Sequence, residues 1–202
     1  MNSRRPPSRV IQPDLLGGDP GVAQVHRLFF ALLPDEATRS RIEKAATDAA
    51  AAQSLRVRMI RPARYHDTLH FLGDHPSLRE GIVCAAVAAA DRVYAHPFEL
   101  VLDGASGFHG REPPCVLRCT QTPPALQALW QDLRDALLRA GLGGHLSRSF
   151  TPHVTYAYSR GAVPQPVPLA PLHWRVEGFS LLHSVVGGGD YQTLKTWRFP
   201  PA

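Results

Sequence analysis

The sequence is short of lysine, of cysteine and of long apolar runs, and each shortage excludes a class of protein. Only Lys44 and Lys195 are lysines among the 22 basic residues, so arginine carries almost all of the positive charge. The three cysteines are an odd number, which argues against a disulfide framework. Cys115 and Cys119 have no second cysteine pair with which to complete a zinc site. We therefore expect the cysteines to be small structural residues.

No segment of the sequence resembles a membrane span or a secretory signal. The longest apolar stretch, the alanine-rich run at 82–90, is too short and too weakly hydrophobic to cross a bilayer. The first 21 residues are basic and then rich in proline and glycine, without the apolar core of a signal peptide. We therefore expect a cytoplasmic protein that does not associate with membranes.

The formal net charge is +5 at pH 7, and arginine is the source of nearly all of it. Arginine suits phosphate because its planar guanidinium donates two parallel hydrogen bonds. The bias fits an anionic partner such as RNA. An arginine-rich genome would produce the same bias, so the charge by itself leaves the partner open.

Strand-like and helix-like segments alternate along the chain after a start rich in turn-forming residues. Residues 1–25 have the composition of a loose N-terminal extension, and 26–202 read as one folded domain. Helical spacing of apolar residues predicts three helices, at 35–53, 77–94 and 123–138. We expect a proline-rich connector at 164–171 and, near the end, a hairpin of strands 174–186 and 191–199.

The pattern His-x-Thr occurs twice, each time inside a strand-like run. The copies are His66-Asp67-Thr68 and His153-Val154-Thr155. Each lies beside a helix–strand unit, which divides the chain into two comparable halves. We therefore expect an α+β fold that is bilobal and pseudo-twofold, with two antiparallel sheets lining a central cleft and helices on the outside.

Residues two apart on a strand share a face, so each copy presents one imidazole and one hydroxyl in the same direction. The alternation places His66, Thr68 and His70 on one face of the first strand, with Leu69 and Phe71 on the other. It places His153, Thr155 and Ala157 together on the second strand. The two polar faces would then line the cleft.

Two histidines and two hydroxyls suit the cleavage of a phosphodiester. Imidazole titrates near neutral pH, so one histidine can accept a proton from water while the other protonates the departing oxygen. Hydroxyl donors and an arginine would stabilise the charge that collects on the phosphate oxygens. Two other interpretations stay open at this point. A single His-x-Thr is a common packing arrangement, and His66, His70 and His153 together could chelate a metal.

Four segments in order along the chain resemble the two-histidine (2H) phosphoesterase superfamily, and within it the RNA 2′,3′-cyclic phosphodiesterase family, also called LigT-like 2′-5′ RNA ligases. Residues 27–34 are similar to the opening strand of the family. Residues 66–73 match its H-x-T-L-x-F-L-G motif, and 148–155 match R-x-F-x-P-H-x-T. The end, from Ser184 through Tyr191 to Trp197, resembles the closing S…G-x-Y-x-x-L-x-x-W pattern.

The resemblance implies hydrolysis of a 2′,3′-cyclic phosphate RNA end to a 2′-phosphomonoester, without a metal or other cofactor. His66 and His153 would be the acid–base pair, and Thr68, Thr155 and Arg148 would bind the phosphate. Our working assignment has His153 activate water and His66 protonate the leaving oxygen, although the symmetry of the motifs does not separate the two. We expect a monomer.

The chain departs from the family pattern after the second motif, where Tyr156-Ala157-Tyr158 replaces Leu-Ala-Arg. A contact made by that arginine would pass to Arg160 or to the Tyr158 hydroxyl. His70 is a further candidate, for tuning the pKa of His66 or contacting RNA. Three other functions stay open: 2′-5′ RNA ligation by the reverse reaction, hydrolysis of another 2′-linked nucleotide diester, and RNA-end binding without turnover.

Overall fold

A computed structural model describes residues 24–201. The predicted N-terminal extension therefore lies almost wholly outside the described residues. The described part contains three α-helices and nine β-strands in an alternating order. The helices are α1 Glu36–Ala52, α2 Glu80–Ala90 and α3 Pro124–Arg139. The strands are β1 His26–Leu32, β2 Val57–Met59, β3 Asp67–His75, β4 Phe98–Gly107, β5 Pro114–Arg118, β6 His153–Ser159, β7 Val167–Val176, β8 Gly178–Val185 and β9 Gln192–Arg198.

The strands form one nine-stranded antiparallel sheet that consists of two four-stranded halves, called the two sheets below. One has the order β7-β4-β5-β6 and the other β3-β1-β8-β9, while β2 pairs with β6 alone. Within residues 24–201, the sheets are joined by one residue pair between β3 and β6, Asp67 with Val154. Each of these two strands carries one His-x-Thr motif. The predicted α+β class with antiparallel strands is confirmed, and the two predicted sheets are the two halves of this single sheet.

The helices begin and end where local chemistry requires it. Asp35 caps α1, with its carboxylate accepting the backbone N–H of Thr38 at 2.7 Å. Pro124 occupies the first turn of α3, where its missing N–H has no cost. The helix stops at Gly141, whose φ of +76° is in the left-handed region that favours glycine.

The apolar face of α3 supplies much of the core beside β3 and β4. Its buried side chains include Leu126, Leu129, Trp130, Leu133 and Leu137, the spacing that predicted the helix. The alanine-rich α2 packs against α3. Among the described helices, none is both long enough and apolar enough to cross a membrane.

The proline-rich segment is partly a strand, so the prediction of a connector over 164–171 was wrong from Val167 onward. Pro168 and Pro171 lie within β7, which is an edge strand of its sheet. Proline is tolerated there because an edge strand needs only part of its N–H groups for pairing. The predicted strand 174–186 is likewise split into the end of β7 and all of β8. The predicted hairpin between β8 and β9 is confirmed.

Both motif strands carry a β-bulge directly after the threonine. In β3, Ala31 pairs with Thr68 and Phe30 with His70, so Leu69 is the extra residue. In β6, Val116 pairs with Thr155 and Cys115 with Ala157, so Tyr156 is the extra residue. A bulge breaks the alternation of side chains between the two faces. The predicted faces therefore hold up to the threonines and fail beyond them, in both strands and for the same reason.

Candidate functional site

The two motifs face each other across the junction of the sheets. The Asp67–Val154 pair that joins β3 to β6 consists of the middle residues of the two motifs. His66 immediately precedes β3, and His153 is the first residue of β6. The junction thus brings together two residue pairs that are far apart in sequence, as the pseudo-twofold arrangement predicted.

The two imidazoles are held in the same way. His66 Nδ1 lies 2.8 Å from the carbonyl oxygen of Arg64, and His153 Nδ1 lies 2.7 Å from the carbonyl oxygen of Thr151. A carbonyl can only accept, so each Nδ1 must carry the hydrogen and donate it. Each neutral ring then has a free lone pair on Nε2, which is the atom available for proton transfer.

Burial lowers the pKa of both histidines, because it disfavours the charged imidazolium. For His66 the pKa falls to about 4; the bond to the Arg64 carbonyl opposes this effect, and the charges of His153 and Arg64 add to it. The pKa of His153 is also lowered, by burial first, against its bond to Thr151. Both rings are therefore neutral near pH 7 in the free protein, and the two are close enough to influence each other.

Aromatic side chains fix the ring planes of both histidines. His66 packs against both Phe29 and Tyr191, each with its ring centroid 5.1 Å away, and Tyr191 meets it edge-on. Phe108 meets His153 edge-on at 5.0 Å. With one ring nitrogen bonded and the ring face packed, each imidazole has little freedom to rotate. This is the preorganisation that acid–base catalysis requires.

A cavity of about 630 Å³ opens beside His66, a volume typical of small-molecule sites. Thr68 and Thr155 both line it, as predicted. Beyond each threonine the bulge shifts which residues face the cavity, so that Phe71 and Tyr158 also line it. The remaining lining residues come from β1, from the segment between β2 and β3, and from the β8–β9 region: Arg27, Phe29, Arg58, Met59, Ile60, Arg61, Arg64, Ser184, Val186, Gly187 and Tyr191.

Four arginines line the cavity, and their partners differ. Arg27 donates two hydrogen bonds to Asp74, both at 2.8 Å. Arg58 and Arg61 form ion pairs with acidic residues, at 3.3 Å with Glu112 and 2.9 Å with Asp190. Arg64 donates to the carbonyl oxygen of Gly189 at 3.3 Å and lies over the ring of Tyr191 at 4.5 Å. Within residues 24–201 it has no acidic partner, so its charge is the one available to an anion.

Three further predicted site residues lie elsewhere. His70 is buried, 2 % exposed, and stacks on Trp130; its Nε2 donates to the Trp130 carbonyl oxygen at 2.8 Å. The prediction that it shares the face of His66 was wrong, because the bulge at Leu69 turns it into the core. Arg148 is exposed in the loop before β6 and is not among the cavity-lining residues. Arg160 lines a second cavity, of about 430 Å³.

The second cavity adjoins the first, because Arg58 and Tyr158 line both. Arg58 lies over the Tyr158 ring at 5.0 Å. Arg111 and Arg160 complete its basic lining, with Glu112 as the acidic residue. The predicted candidates Tyr158 and Arg160 are therefore brought together in a basic extension of the cleft.

The position of His70 also bears on the metal hypothesis. Its ring contacts α3 rather than the cleft, so it does not converge with His66 and His153. No group of three or more histidine, cysteine, aspartate or glutamate side chains in the described part of the chain could hold a metal ion. The geometry thus offers no support for chelation by these three histidines.

A family model described as the 2′-5′ RNA ligase superfamily matches residues 27–188. That span contains both motifs, both bulges and all the cavity-lining residues except Tyr191. The chain belongs to the 2′-5′ RNA ligase superfamily. The resemblance to the LigT-like two-histidine phosphoesterases is thereby confirmed.

Three relatives illustrate the superfamily. An RNA 2′,3′-cyclic phosphodiesterase of Geobacillus stearothermophilus is 37% identical over 111 residues, which is 54% of this chain and 35% of that protein. The matched part is thus about a third of the relative's length. The crystal structure of E. coli LigT in apo form has 28% identity and a TM-score of 0.69, over 87% of this chain and 98% of that one. The E. coli LigT complex with 3′-AMP has 25% identity and a TM-score of 0.65, over 87% and 98%.

Several cleft residues of this superfamily member escaped sequence reasoning. Arg64 and Phe108 belong to no pattern that the sequence makes visible. Tyr191 lies next to the glycine-rich turn at 187–190, and its place in the closing family pattern was the one available signal. That pattern gives no sign that Tyr191 packs on the His66 ring.

Proposed function

We propose that this protein hydrolyses RNA 2′,3′-cyclic phosphate ends to 2′-phosphomonoesters, with His66 and His153 as the acid–base pair. The observation that carries the proposal is that the two imidazoles are hydrogen-bonded in the same way. Each donates from Nδ1 to a backbone carbonyl and leaves Nε2 free, and Thr68 and Thr155 line the neighbouring cavity. The chemistry needs no metal or other cofactor.

In the proposed reaction, His153 Nε2 removes a proton from water as the water oxygen attacks phosphorus. The bond from phosphorus to the 3′ oxygen breaks, and protonated His66 gives its Nε2 proton to that oxygen. The product is a 2′-phosphate with a free 3′-hydroxyl, and a proton passing through solvent restores both histidines. The hydroxyls of Thr68 and Thr155 donate to the nonbridging oxygens, where negative charge accumulates.

The basic lining supports RNA as the substrate. Arg64 lies beside His66, and the second cavity adds Arg111 and Arg160 along the same cleft. The relatives include a protein named as an RNA 2′,3′-cyclic phosphodiesterase and a structure with a bound nucleotide. All the groups in the proposal come from one chain, and its core spans both sheets, which supports a monomer with 26–202 as one bilobal domain.

The test is to incubate purified protein with a short RNA that ends in a 2′,3′-cyclic phosphate, in the presence of EDTA. We expect a 2′-phosphate product, identified by mass spectrometry and by its resistance to an enzyme specific for 3′-phosphates. A divalent ion that restores a rate lost in EDTA would contradict metal independence. Addition of an RNA with a 5′-hydroxyl tests the alternative, since a 2′-5′ linked product would indicate ligation by the reverse reaction.

The lowered histidine pKa values give the pH dependence a definite sign. The profile of kcat/KM reports the free enzyme, in which both pKa values lie below the ordinary 6.5, with that of His66 at about 4. The base, His153, is in its active neutral form above its pKa. The acid, His66, loses its active protonated form above its own pKa. We therefore expect kcat/KM to fall as pH rises from 6.5 to 8.5, by up to about tenfold per unit.

Bound phosphate should shift this profile. Its negative charge favours the imidazolium, so the pKa values in the complex rise and kcat should stay high to a higher pH than kcat/KM. Both parameters can be measured from pH 4.5 to 8.5 at constant ionic strength. An increase of kcat/KM from pH 6 to 8 would be incompatible with two histidines of lowered pKa.

Arg64 should contribute more to phosphate binding than Arg148. Arg64 lines the cavity beside His66 and has no acidic partner within residues 24–201, whereas Arg148 is exposed outside it. We expect Arg64→Ala to lower kcat/KM by about 10- to 100-fold, the effect of losing a charged hydrogen bond of roughly 1.5–3 kcal/mol. Steady-state kinetics of Arg64→Ala and Arg148→Ala at one salt concentration compare them directly. A larger loss in Arg148→Ala would favour the role that the family pattern implied for it.

A further inference from the structure

Asp67, the middle residue of the first motif, is a buried acid without a partner. Its exposure is 0 %, and neither carboxyl oxygen has a hydrogen-bond partner among the described residues. No arginine, lysine or histidine forms an ion pair with it in residues 24–201. A buried carboxylate with neither cation nor donor is among the costliest groups that a fold can contain.

The pseudo-twofold symmetry gives Asp67 a counterpart. Asp67 and Val154 are the middle residues of the two motifs and pair with each other across the β3–β6 junction. Val154 is also fully buried. An apolar side chain thus fills one of two equivalent positions, so packing at the junction does not by itself require an acid at the other. Asp67 therefore needs an explanation other than filling space.

The surroundings favour the neutral form of the carboxyl. Burial raises the pKa of Asp67 well above its ordinary value, and the backbone N–H of His153 acts in the opposite direction. Cys119, just beyond β5, has a pKa that is itself raised, by burial first and in part by the charges of Asp67 and Asp103. The titratable residues nearest to Asp67 along its own segment are His66, which precedes β3, and His70, which lies on β3. No positive charge from these elements compensates an ionised Asp67, so the fold favours the protonated carboxyl over the carboxylate far more than water does.

The backbone N–H that affects the pKa of Asp67 belongs to His153, one of the two proposed catalytic histidines. The backbone N–H of His153 is near enough to oppose the rise in the pKa of Asp67, but it makes no hydrogen bond of good geometry with the carboxyl in this structure. Catalytic hydrogen bonds are often long in the free protein and tighten when substrate binds. A small closure of the cleft would move β6 against β3 at their one joining pair and complete this bond.

We propose that Asp67 is a positioning residue: a neutral acid at the junction of the two sheets that accepts the His153 backbone N–H as the cleft closes and thereby sets the position of the His153 ring. The proposal rests on the proposed function for its kinetic consequences. Its structural part, a neutral acid buried at the junction, holds independently of the substrate.

Two variants separate positioning from packing. Asp67→Asn keeps a neutral side chain with a carbonyl acceptor, and we expect its kcat at pH 7 to stay within about threefold of the wild type. Asp67→Val reproduces the side chain found at Val154, and we expect a kcat about tenfold lower, the effect of losing one hydrogen bond, with unchanged or raised thermal stability. Wild-type kcat in Asp67→Val would overturn the proposal, and so would a large loss in Asp67→Asn.

Stability against pH provides a readout that does not need turnover. An acid whose pKa is raised on folding is protonated in the folded chain and ionised in the unfolded chain, so stability falls as pH rises above 3.8. Relative to Asp67→Asn, the unfolding constant of the wild type should increase with pH between pH 5 and 8, by up to about tenfold per unit while the pH lies below the folded-state pKa of Asp67. The histidines and Cys119 are present in both proteins and cancel in the comparison. A constant ratio over this range would contradict the neutral acid.

A matched control removes another buried polar group that lacks a partner. The hydroxyl of Ser106, on β4, is buried and unbonded among the described residues. Ser106→Ala should change stability by the same amount at every pH and leave kcat unchanged. If the wild type fails to hydrolyse the cyclic phosphate, the proposed function is wrong, while the stability comparison still decides whether Asp67 is neutral.

Discussion

Replacing either His66 or His153 by alanine should lower kcat on a cyclic phosphate RNA end by roughly 10²–10⁴-fold, the usual contribution of general acid–base catalysis. The two imidazoles carry both proton transfers in the proposed mechanism, and each is fixed by a backbone carbonyl and an aromatic neighbour. His66 lines the cavity and His153 is not among its lining residues; among the described residues no further histidine lines it and could replace either of them. Single-turnover kinetics with saturating protein would measure the chemical step directly.

Asparagine variants sharpen this experiment. His66→Asn and His153→Asn place an amide near the position of Nδ1, which preserves the donor to the carbonyl and removes Nε2. His173→Ala is the matched control, since His173 is an exposed strand histidine bonded to Glu99 at 3.0 Å. We expect full activity in the control and a similar loss in the asparagine and alanine variants. Near wild-type activity in either asparagine variant would refute the acid–base pair.

The two histidines can also be told apart. A 4-nitrophenyl ester of a nucleoside 2′-phosphate has a leaving group that needs no proton, so the general acid becomes dispensable. With His66 as the acid, His66→Ala should recover most of its lost rate on this substrate, while His153→Ala should not. The opposite pattern would exchange the two roles without affecting the site itself.

Replacing Thr68 or Thr155 by valine should lower kcat by about 10²-fold each, the effect of removing one preorganised donor to a developing negative charge. Both threonines line the cavity, and the bulge that follows each of them is fixed by pairing with β1 or β5. Valine keeps the β-branched shape, so the strand and its packing should be preserved. The measurement is kcat and KM for each variant.

Serine variants and a distant threonine provide the controls. Thr68→Ser and Thr155→Ser retain the hydroxyl and should recover most of the activity. Thr196→Val removes a strand hydroxyl, bonded to Ser180 at 2.8 Å, that is not part of the cavity lining, and should leave kcat unchanged. A rise in KM with unchanged kcat in the valine variants would mean that the hydroxyls bind the ground state and transition state equally.

The parts of the fold that sequence reasoning predicted are those with a short-range cause. The apolar stripe of α3 repeats within one helix, and its stop at Gly141 follows from a conformation that glycine adopts readily. The two motifs were informative for the same reason, since alternation over three residues is enough to align a histidine with a threonine. These features need no knowledge of the partner strand.

The predictions from sequence were wrong where pairing with a neighbouring strand determines which way a side chain points. The bulges at Leu69 and Tyr156 depend on pairing with β1 and β5, and they exchanged the expected environments of His70 and Phe71. The carbonyl of Leu69 accepts the indole N–H of Trp130 at 2.9 Å, a contact across 61 residues of sequence. Proline in β7 was misjudged because its tolerance depends on the strand being at an edge, which is a property of the whole sheet.

The same limit applies to the cleft. Arg64 and Tyr191 meet over His66 only because the β8–β9 turn folds back on the segment before β3. No local periodicity encodes such a contact. The site could thus be predicted at its two motif strands, while the residues that surround the His66 ring required the structure.

The order of strands in the two sheets has a consequence for how the protein is made. The β7-β4-β5-β6 sheet comes mostly from one continuous stretch, residues 98–176, whereas β3-β1-β8-β9 joins both ends of the described chain. During synthesis on the ribosome, the first sheet can assemble before β8 is available to pair with β1. Pairing between strands so far apart in sequence is slow and comes last. We therefore expect the sheet that carries His153 to form before the pocket around His66, which closes only when β8 and β9 have emerged. Until then a nascent chain would hold an incomplete cleft.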